Sequence, residues 1–394
     1  MGETKEQKRC SRCTLPSNFR NIRFDKNGVC NYCHNHDKYI NKFRRFSLAE
    51  KNFLKQVETN KGKFPYDCAV GLSGGKDSTY VLYKLVKDYK LKVLAITFNN
   101  NFQNDVAKND IKTIINDLNI DHAVISYDKD VHYKLYKEAA IKLGWPCVAC
   151  SFLGFGLMHR YCFDHRIPIF VHGMARSQMI RELSRYSHHS YLPIFTINYL
   201  PFSFSEYLQL VKSLRKGMDT IAKLLIRDVE ERKEFKEKYF IDPDECKRQR
   251  FVPQFMAYFL MHDYNEADII NFTKKNVRKD RGEGLKEYHH YDCLGHPAFM
   301  YIYKQAFGWS LLELEIAADV REGKISRARA LKFIEDEQEV KKIPDESMDL
   351  FCSRINMDRD DLLRSLVIAK KNIRMQKWLM RVKNTFKIRP IKNL

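Results

Sequence analysis

Residues 66–72 read Tyr-Asp-Cys-Ala-Val-Gly-Leu and run straight into Ser73-Gly74-Gly75-Lys76-Asp77-Ser78. The first stretch is a short apolar run, which predicts a buried strand. After the second, Val81, Leu82, Leu85, Val86 and Tyr89 recur at helical spacing. The junction is therefore a strand, a glycine-rich turn and a helix start. Such a junction aims backbone N–H groups and the positive end of the helix dipole at one point, so it holds an anion. Ser73 and Ser78 add hydroxyls and Lys76 adds a charge. It is not a Walker loop: only Leu72, Ser73 and Gly74 separate Gly71 from Gly75, and Asp77 follows the lysine. An aspartate at that point suits Mg²⁺ held beside a polyphosphate.

Working outward, residues 92–98, 122–127 and 167–171 read as further strands. Helices are predicted over 104–118, 131–143 and 151–164, the first with Asn104 as N-cap. Strands alternating with helices predict an α/β fold with a doubly wound parallel sheet. Ligands of such sheets bind at the carboxyl ends of the strands, so residues 73–78, 97–100 and 172–178 are expected around one crevice. Beyond residue 200 the patterns are mostly helical, at 203–214, 219–239, 253–261, 266–273, 299–307, 311–322, 326–335, 347–352 and 358–374.

Near the N-terminus, Cys10-Ser11-Arg12-Cys13 and Cys30-Asn31-Tyr32-Cys33 are separated by 16 residues. Two CxxC turns at this distance predict a closed, tetrahedral zinc site. Gly28 suits the tight turn before the second pair. The segment is too short and polar to fold on its own core, so the metal supplies its folding free energy. Such a closed site is structural. His34 and His36 beside it read as solvated.

The chain has 394 residues, 44% of them apolar, and a formal net charge of +20. Length and composition fit a globular protein of two or three domains and exclude global disorder. No apolar run is long enough to span a membrane, and the first residues lack an apolar signal core, so a cytoplasmic protein is expected. The charge points first to nucleic acid, but it is terminal. Residues 1–46 hold 11 basic and 4 acidic side chains, and residues 371–394 hold 8 basic and none acidic. A groove along the whole chain would distribute it differently.

Pro146-Cys147-Val148-Ala149-Cys150 is a second cysteine pair. Three readings stay open for it. It is an iron–sulfur or second metal site with a third ligand from Cys293 or Cys246, a redox or nucleophilic pair, or buried and inert. Cys68 and Cys162 read as packed thiols. Cys293 lies in His289-His290-Tyr291-Asp292-Cys293-Leu294-Gly295-His296, which reads as functional. Arg176, Arg181 and Arg185 are candidates for bidentate contact with carboxylate or phosphate, or for surface ion pairs. The His188–His189 and His289–His290 doublets lack recognisable metal-ligand spacing.

Residues 73–78 resemble the SGGxDS loop of the PP-loop ATP pyrophosphatases. The whole pattern adds the N-terminal knuckle, PCxxC, HGMARSQ at 172–178, YHHYDCLGHP at 288–297 and DVREGKISRARAL at 319–331. Together they resemble the N-acetyl sugar amidotransferases of surface-polysaccharide and flagellin-glycan biosynthesis. The resemblance implies an organisation of knuckle (1–46), ATP-binding α/β domain (47–200) and helical substrate or partner domain (201–394). It implies ATP on Gly71, Ser73, Gly74, Gly75, Lys76, Asp77, Ser78, Thr97, Phe98 and Gly173, with Mg²⁺ near Asp77 and with Lys76 and Asp77 catalytic. Arg176 and Arg181 would face the substrate. The reaction implied converts an acetamido group of a nucleotide-activated N-acetyl sugar into an acetamidino group. Precursors of nonulosonic acids, such as pseudaminic and legionaminic acid, and diacetylated uronic acids both qualify. Ammonia would come from a separate glutaminase through a cyclase-like channel subunit, since no glutaminase nucleophile or triad is evident. The rival reading is a PP-loop tRNA thiolase, which shares the knuckle, the loop, the mid-chain pair and the positive charge. Such enzymes carry a pair at about this place plus a later cysteine, so this resemblance implies an iron–sulfur or second metal site at Cys147, Cys150 and Cys293.

Overall fold

β1 (Cys68–Gly71) sits at the centre of a five-stranded sheet, with β2 (Val93–Phe98) on one side and β4 (Ile169–His172) on the other. β3 (Asp121–Ile125) and β5 (Gln254–Ala257) close the edges, giving the order β3-β2-β1-β4-β5. Every pair is parallel; Gly71 stands beside Ile96, and Val70 beside Val171. The inner strands are buried along nearly their whole length, as a parallel sheet covered on both faces requires. Chain order reverses between β1 and β4, which is where such sheets open a binding crevice. The computed structural model describes residues 8–19, 21–175, 178, 203–277, 292–337 and 341–371. The expected doubly wound α/β class is the one observed.

Two helices, α1 (Asn31–Tyr39) and α2 (Phe46–Asn60), precede the sheet, and those between the strands are α3 (Lys76–Lys87), α4 (Asp105–Leu118), α5 (Lys129–Leu143) and α6 (Leu153–Asp164). Asn104 caps α4, accepting from the Ala107 N–H. Two expectations fail in the second half. Residues 253–261 form not a helix but β5 followed by one 3₁₀ turn, Tyr258–Leu260. A short apolar run does not distinguish strand from buried helix, and only the exposed edge of β4 decides it. The two helices expected over 203–214 and 219–239 do form, as Phe204–Leu225 and Val229–Tyr239, but the break falls at 226–228 and not at 215–218. The break comes where Asp228 accepts from Glu231 N and starts the second. The sheet thus draws its fifth strand from a stretch read as helical.

Phe102, Tyr136, Phe299 and Phe351 pack edge-on and stacked with centroids 5.0–5.5 Å apart for the Phe102–Tyr136, Phe102–Phe299, Tyr136–Phe299 and Phe299–Phe351 pairs, joining the sheet region to the later helices. The knuckle is tied to the later helices as well. Phe19 packs 4.7 Å from Trp309, and Arg9 reaches Glu313 at 2.7 Å. Glu313 is fully buried and also meets Lys304 at 2.5 Å. Burial pushes its carboxyl up, but Lys304 and Arg9 outweigh burial and hold it below its ordinary value. Its contribution to stability is therefore complete above the ordinary carboxylate range and is lost as pH falls through the lowered value. Glu313→Ala leaves Lys304 and Arg9 without their shared carboxylate. It is expected to destabilise the chain by about 3 kcal/mol at neutral pH, read from the denaturant midpoint.

Candidate active site

The turn after β1 is held by its own serines. Ser73 N donates to Ser78 Oγ (3.2 Å), Ser78 Oγ donates to Gly75 O (3.1 Å), and Gly75 N donates to Ser73 Oγ (3.1 Å). Gly74 has φ +83°, the left-handed region that glycine tolerates. A Cβ there would lie 2.5 Å from the Ala107 carbonyl oxygen, so the turn is seated on the first residues of α4. Gly74→Ala is expected to weaken nucleotide binding at least about tenfold, through strain and displacement of the turn, measurable by equilibrium dialysis. Gly173 closes the other side: a Cβ on it would lie 3.2 Å from Asp77 O. No side chain caps the start of α3 at Gly75. The helix end is thus open to an anion.

Lys76 is buried (7% exposed), with Nζ 3.3 Å from Asp77 Oδ2 and 3.1 Å from Glu266 Oε1. Burial opposes its charge, but Asp77 and Glu266 outweigh burial and hold the ammonium above its ordinary value. Tyr264 donates to Asp77 Oδ1 at 3.0 Å. The two acidic side chains and the tyrosine thus fix the loop lysine and aspartate from both sides. Glu266 begins the helix Glu266–Asn276, a region far away in sequence.

The stretch after β2 forms a second wall. Gln103 Nε2 donates to Ser73 O at 2.8 Å, and Gln103 bridges Cys293 through the backbone. Asn104 N donates to Asp292 O (3.2 Å) and Leu294 N to Phe102 O (2.7 Å). Asp292 is thereby laid against the turn, its Oδ2 3.6 Å from where a Cβ on Gly75 would stand. Burial pushes the Asp292 carboxyl up and Asp77 adds to this, against Ser73 and Lys76.

The other sequence-derived residues fall as follows. Gly71 lies at the end of β1, where a Cβ would stand 3.1 Å from the tip of the Phe170 ring, a tight fit. Thr97 is buried, donating to Leu72 O and meeting His122 Nε2, each at 2.8 Å. Phe98 packs against Tyr127 and His132. Arg176 and Arg181, like Arg185 and the histidine doublets, lie outside the described residues.

Cys147 immediately precedes, and Cys150 lies within, one wide π turn, Val148–Phe152, between α5 and α6. Both lie within electrostatic reach of Cys293 beside the second wall, without the close sulfur spacing that the N-terminal four show among the described residues. Burial pushes the Cys150 thiol up to about 11, and Cys293 rises for the same reason. An activated nucleophile needs the opposite shift, which argues against the redox reading. Cys246 is not part of this group; its charged neighbours are Glu245, Asp242 and Arg160. Cys68 and Cys162 are packed thiols, fully buried.

At the N-terminal knuckle the sulfurs of Cys10, Cys13, Cys30 and Cys33 lie within 4.8 Å of one another, all buried. Cys10–Cys33 is 3.9 Å, Cys13–Cys30 3.7 Å and Cys30–Cys33 3.6 Å. Tetrahedral thiolates around one ion stand about 3.8 Å apart, so the four sulfurs fit a single metal ion. Cys30 N points at Cys10 Sγ (3.2 Å). The Arg321 guanidinium is buried beside Cys13, Cys33 and Cys30; burial opposes its charge, and the thiolates hold it above its ordinary value. His34 is exposed and pairs with Asp25, but His36 corrects the expectation of solvation. Its side chain is 6% exposed, and burial, aided by Arg321, lowers its affinity for a proton.

Residues 67–142 match the family model of queuosine biosynthesis protein QueC, from the edge of β1 through the glycine turn to the last turn of α5. The parallel α/β fold is PP-loop-like. No curated protein matches the chain. Solved structures that it is similar to include a U34-tRNA thiolase from Methanococcus maripaludis with its 4Fe–4S cluster (15% identity, 84% of this chain and 88% of that one, TM-score 0.32). Others are an NH3-dependent NAD synthetase from Campylobacter jejuni (19%, 62% and 97%, 0.27) and an NMN synthetase from Francisella tularensis (10%, 72% and 94%, 0.24).

Around the PP-loop, sequence reasoning missed Tyr264 and Glu266, which belong to no motif. Asp292 stood inside a quoted segment without a role. Lys324, from the DVREGK stretch, lies 4.9 Å over the Tyr264 ring. Among the described residues no helix is long and apolar enough to cross a membrane.

Proposed function

We propose that this chain is an ATP-dependent, AMP-forming amidotransferase that acts on the acetamido group of a nucleotide-activated N-acetyl sugar. One observation carries the reading. Three of the separate segments by which the chain resembles those enzymes converge on the PP-loop: Gly173 lies on Asp77, Asp292 on Gly75, and Lys324 on Tyr264, the partner of Asp77.

In this reading the phosphates of ATP lie on the start of α3 and the turn 73–78, with Mg²⁺ at Asp77. The acetamido oxygen attacks the α-phosphorus, and the bond to the β-phosphate oxygen breaks. Pyrophosphate leaves, its charge held by Lys76 and backbone N–H groups. Ammonia adds to the activated carbon, a proton is lost, and AMP leaves with the former amide oxygen. Asp292 supplies a carboxylate beside the loop for that proton. The four-thiolate centre holds zinc and does no chemistry. The ammonia comes from a partner glutaminase through a cyclase-like subunit.

A second reading, tRNA thiolation, is favoured by the nearness of Cys147 and Cys150 to Cys293. The two separate on products. With ATP, Mg²⁺ and ammonium, the amidotransferase converts a nucleotide-linked N-acetyl sugar to a product lighter by the difference between O and NH, with stoichiometric AMP. Sugar left unchanged, together with tRNA binding that falls steeply with salt, would sink the first reading for the second.

A further inference from the structure

The four-cysteine centre and the PP-loop lie far apart in sequence but are linked by one short segment, residues 321–324, which meets the first directly and the second through Tyr264. At one end Arg321, 6% exposed, faces Cys13, Cys33 and Cys30. One of its guanidinium nitrogens is buried without a hydrogen-bond partner. At the other end Lys324 lies over the Tyr264 ring at 4.9 Å, and Tyr264 donates to Asp77 Oδ1 at 3.0 Å. Between the ends the chain turns sharply at Gly323, with φ +74°. The knuckle is braced on the same side, because Arg327 Nε donates to Cys10 O at 3.1 Å.

Four thiolates around a divalent ion carry a net double negative charge, and a buried cation facing them is held by it. Removing the ion lets the sulfurs spread and takes away the geometry that fixes Arg321. A shift at Arg321 is passed along three residues of backbone, through the turn at Gly323, to Lys324. The next contacts in line are the Tyr264 ring and the Asp77 carboxylate. A carboxylate that binds Mg²⁺ must be held to a fraction of an ångström.

We propose that the four-cysteine centre positions the PP-loop, with Arg321, Lys324 and Tyr264 as positioning residues that link metal occupancy to the placing of Asp77. The inference rests on the reading of residues 73–78 as the site of MgATP. Coupling of this kind is reciprocal: if the metal favours MgATP binding, MgATP favours retention of the metal.

The test uses the full, zinc-loaded chain. Zinc release to a chromophoric chelator is timed with and without saturating MgATP, and MgATP affinity is measured by equilibrium dialysis. MgATP is expected to slow zinc release at least about fivefold in the wild type. Tyr264→Phe and Lys324→Met are expected to abolish that protection at saturating MgATP while leaving the zinc content full. Arg321→Gln should abolish it and Arg321→Lys restore part of it, a pattern that general loss of packing would not give. MgATP binding without any effect on zinc release overturns the proposal and leaves the ATP reading standing. Failure of the wild type to bind MgATP overturns both.

Discussion

Asp77→Asn is expected to lower ATP-dependent pyrophosphate release by about a thousandfold while the chain stays folded. The substitution keeps the shape of the side chain and an oxygen for the Tyr264 hydroxyl, which now meets Asp77 Oδ1 at 3.0 Å. What it removes is the negative charge that would hold Mg²⁺. Lys76→Met should reach a similar loss by another route. It takes away the cation between Asp77 and Glu266, and with it the charge available to the leaving pyrophosphate. Because Lys76 is buried, that variant also leaves two carboxylates facing each other, and a stability loss of about 3 kcal/mol is expected beside the catalytic one. The pair of variants separates the effects: Asp77→Asn leaves Lys76 paired with Glu266 and acts mainly on rate, whereas Lys76→Met changes both rate and denaturant midpoint. Pyrophosphate release at wild-type rate from Asp77→Asn would remove the loop from the chemistry.

Stripping the metal from the knuckle, or replacing Cys33 by Ser, is expected to unfold residues 8–46 and to lower the thermal midpoint of the whole chain. The four sulfurs form a buried cluster with few apolar side chains of their own. Structural zinc contributes about 10 kcal/mol or more to segments of this size, far above what Phe19 on Trp309 supplies. The loss should spread, since Arg9, Arg327 and Arg321 tie the knuckle to buried groups of the later helices. Proteolysis with and without chelator, followed by mass mapping, reads this directly. Unchanged protection of residues 8–46 after complete metal removal would show that packing alone suffices there.

The parts of the site legible in the sequence are those whose chemistry demands close spacing. The serines, glycines, lysine and aspartate of 73–78 must be neighbours to wrap one anion, and each CxxC must close one turn on one ion. Tyr264, Glu266 and Lys324 obey no such rule. Tyr264 and Glu266 reach Asp77 and Lys76 only after the sheet has brought residues 254–257 beside β4, Lys324 then meets the Tyr264 ring, and the strand that does this is itself ambiguous as a short, mostly apolar run. Arg321 was hidden in the same way: in sequence it is one arginine in a basic stretch, and in the fold it is a buried counter-charge. The cysteine triplet was half visible, as a pair with two candidate thirds. The backbone bridge between Gln103 and Cys293 selects one of them.

The bond from Arg9 to Glu313 spans 304 positions, and that from Arg327 to Cys10 spans 317. During synthesis the knuckle leaves the ribosome long before the groups that cover it exist, a delay of tens of seconds at ordinary elongation rates. In that interval four reactive thiols are exposed on a segment with no tertiary partner. Early capture of the metal would keep them from oxidation and mispairing until the last third of the chain arrives. Zinc scarcity during synthesis should therefore harm the yield of folded protein more than the same scarcity imposed after folding.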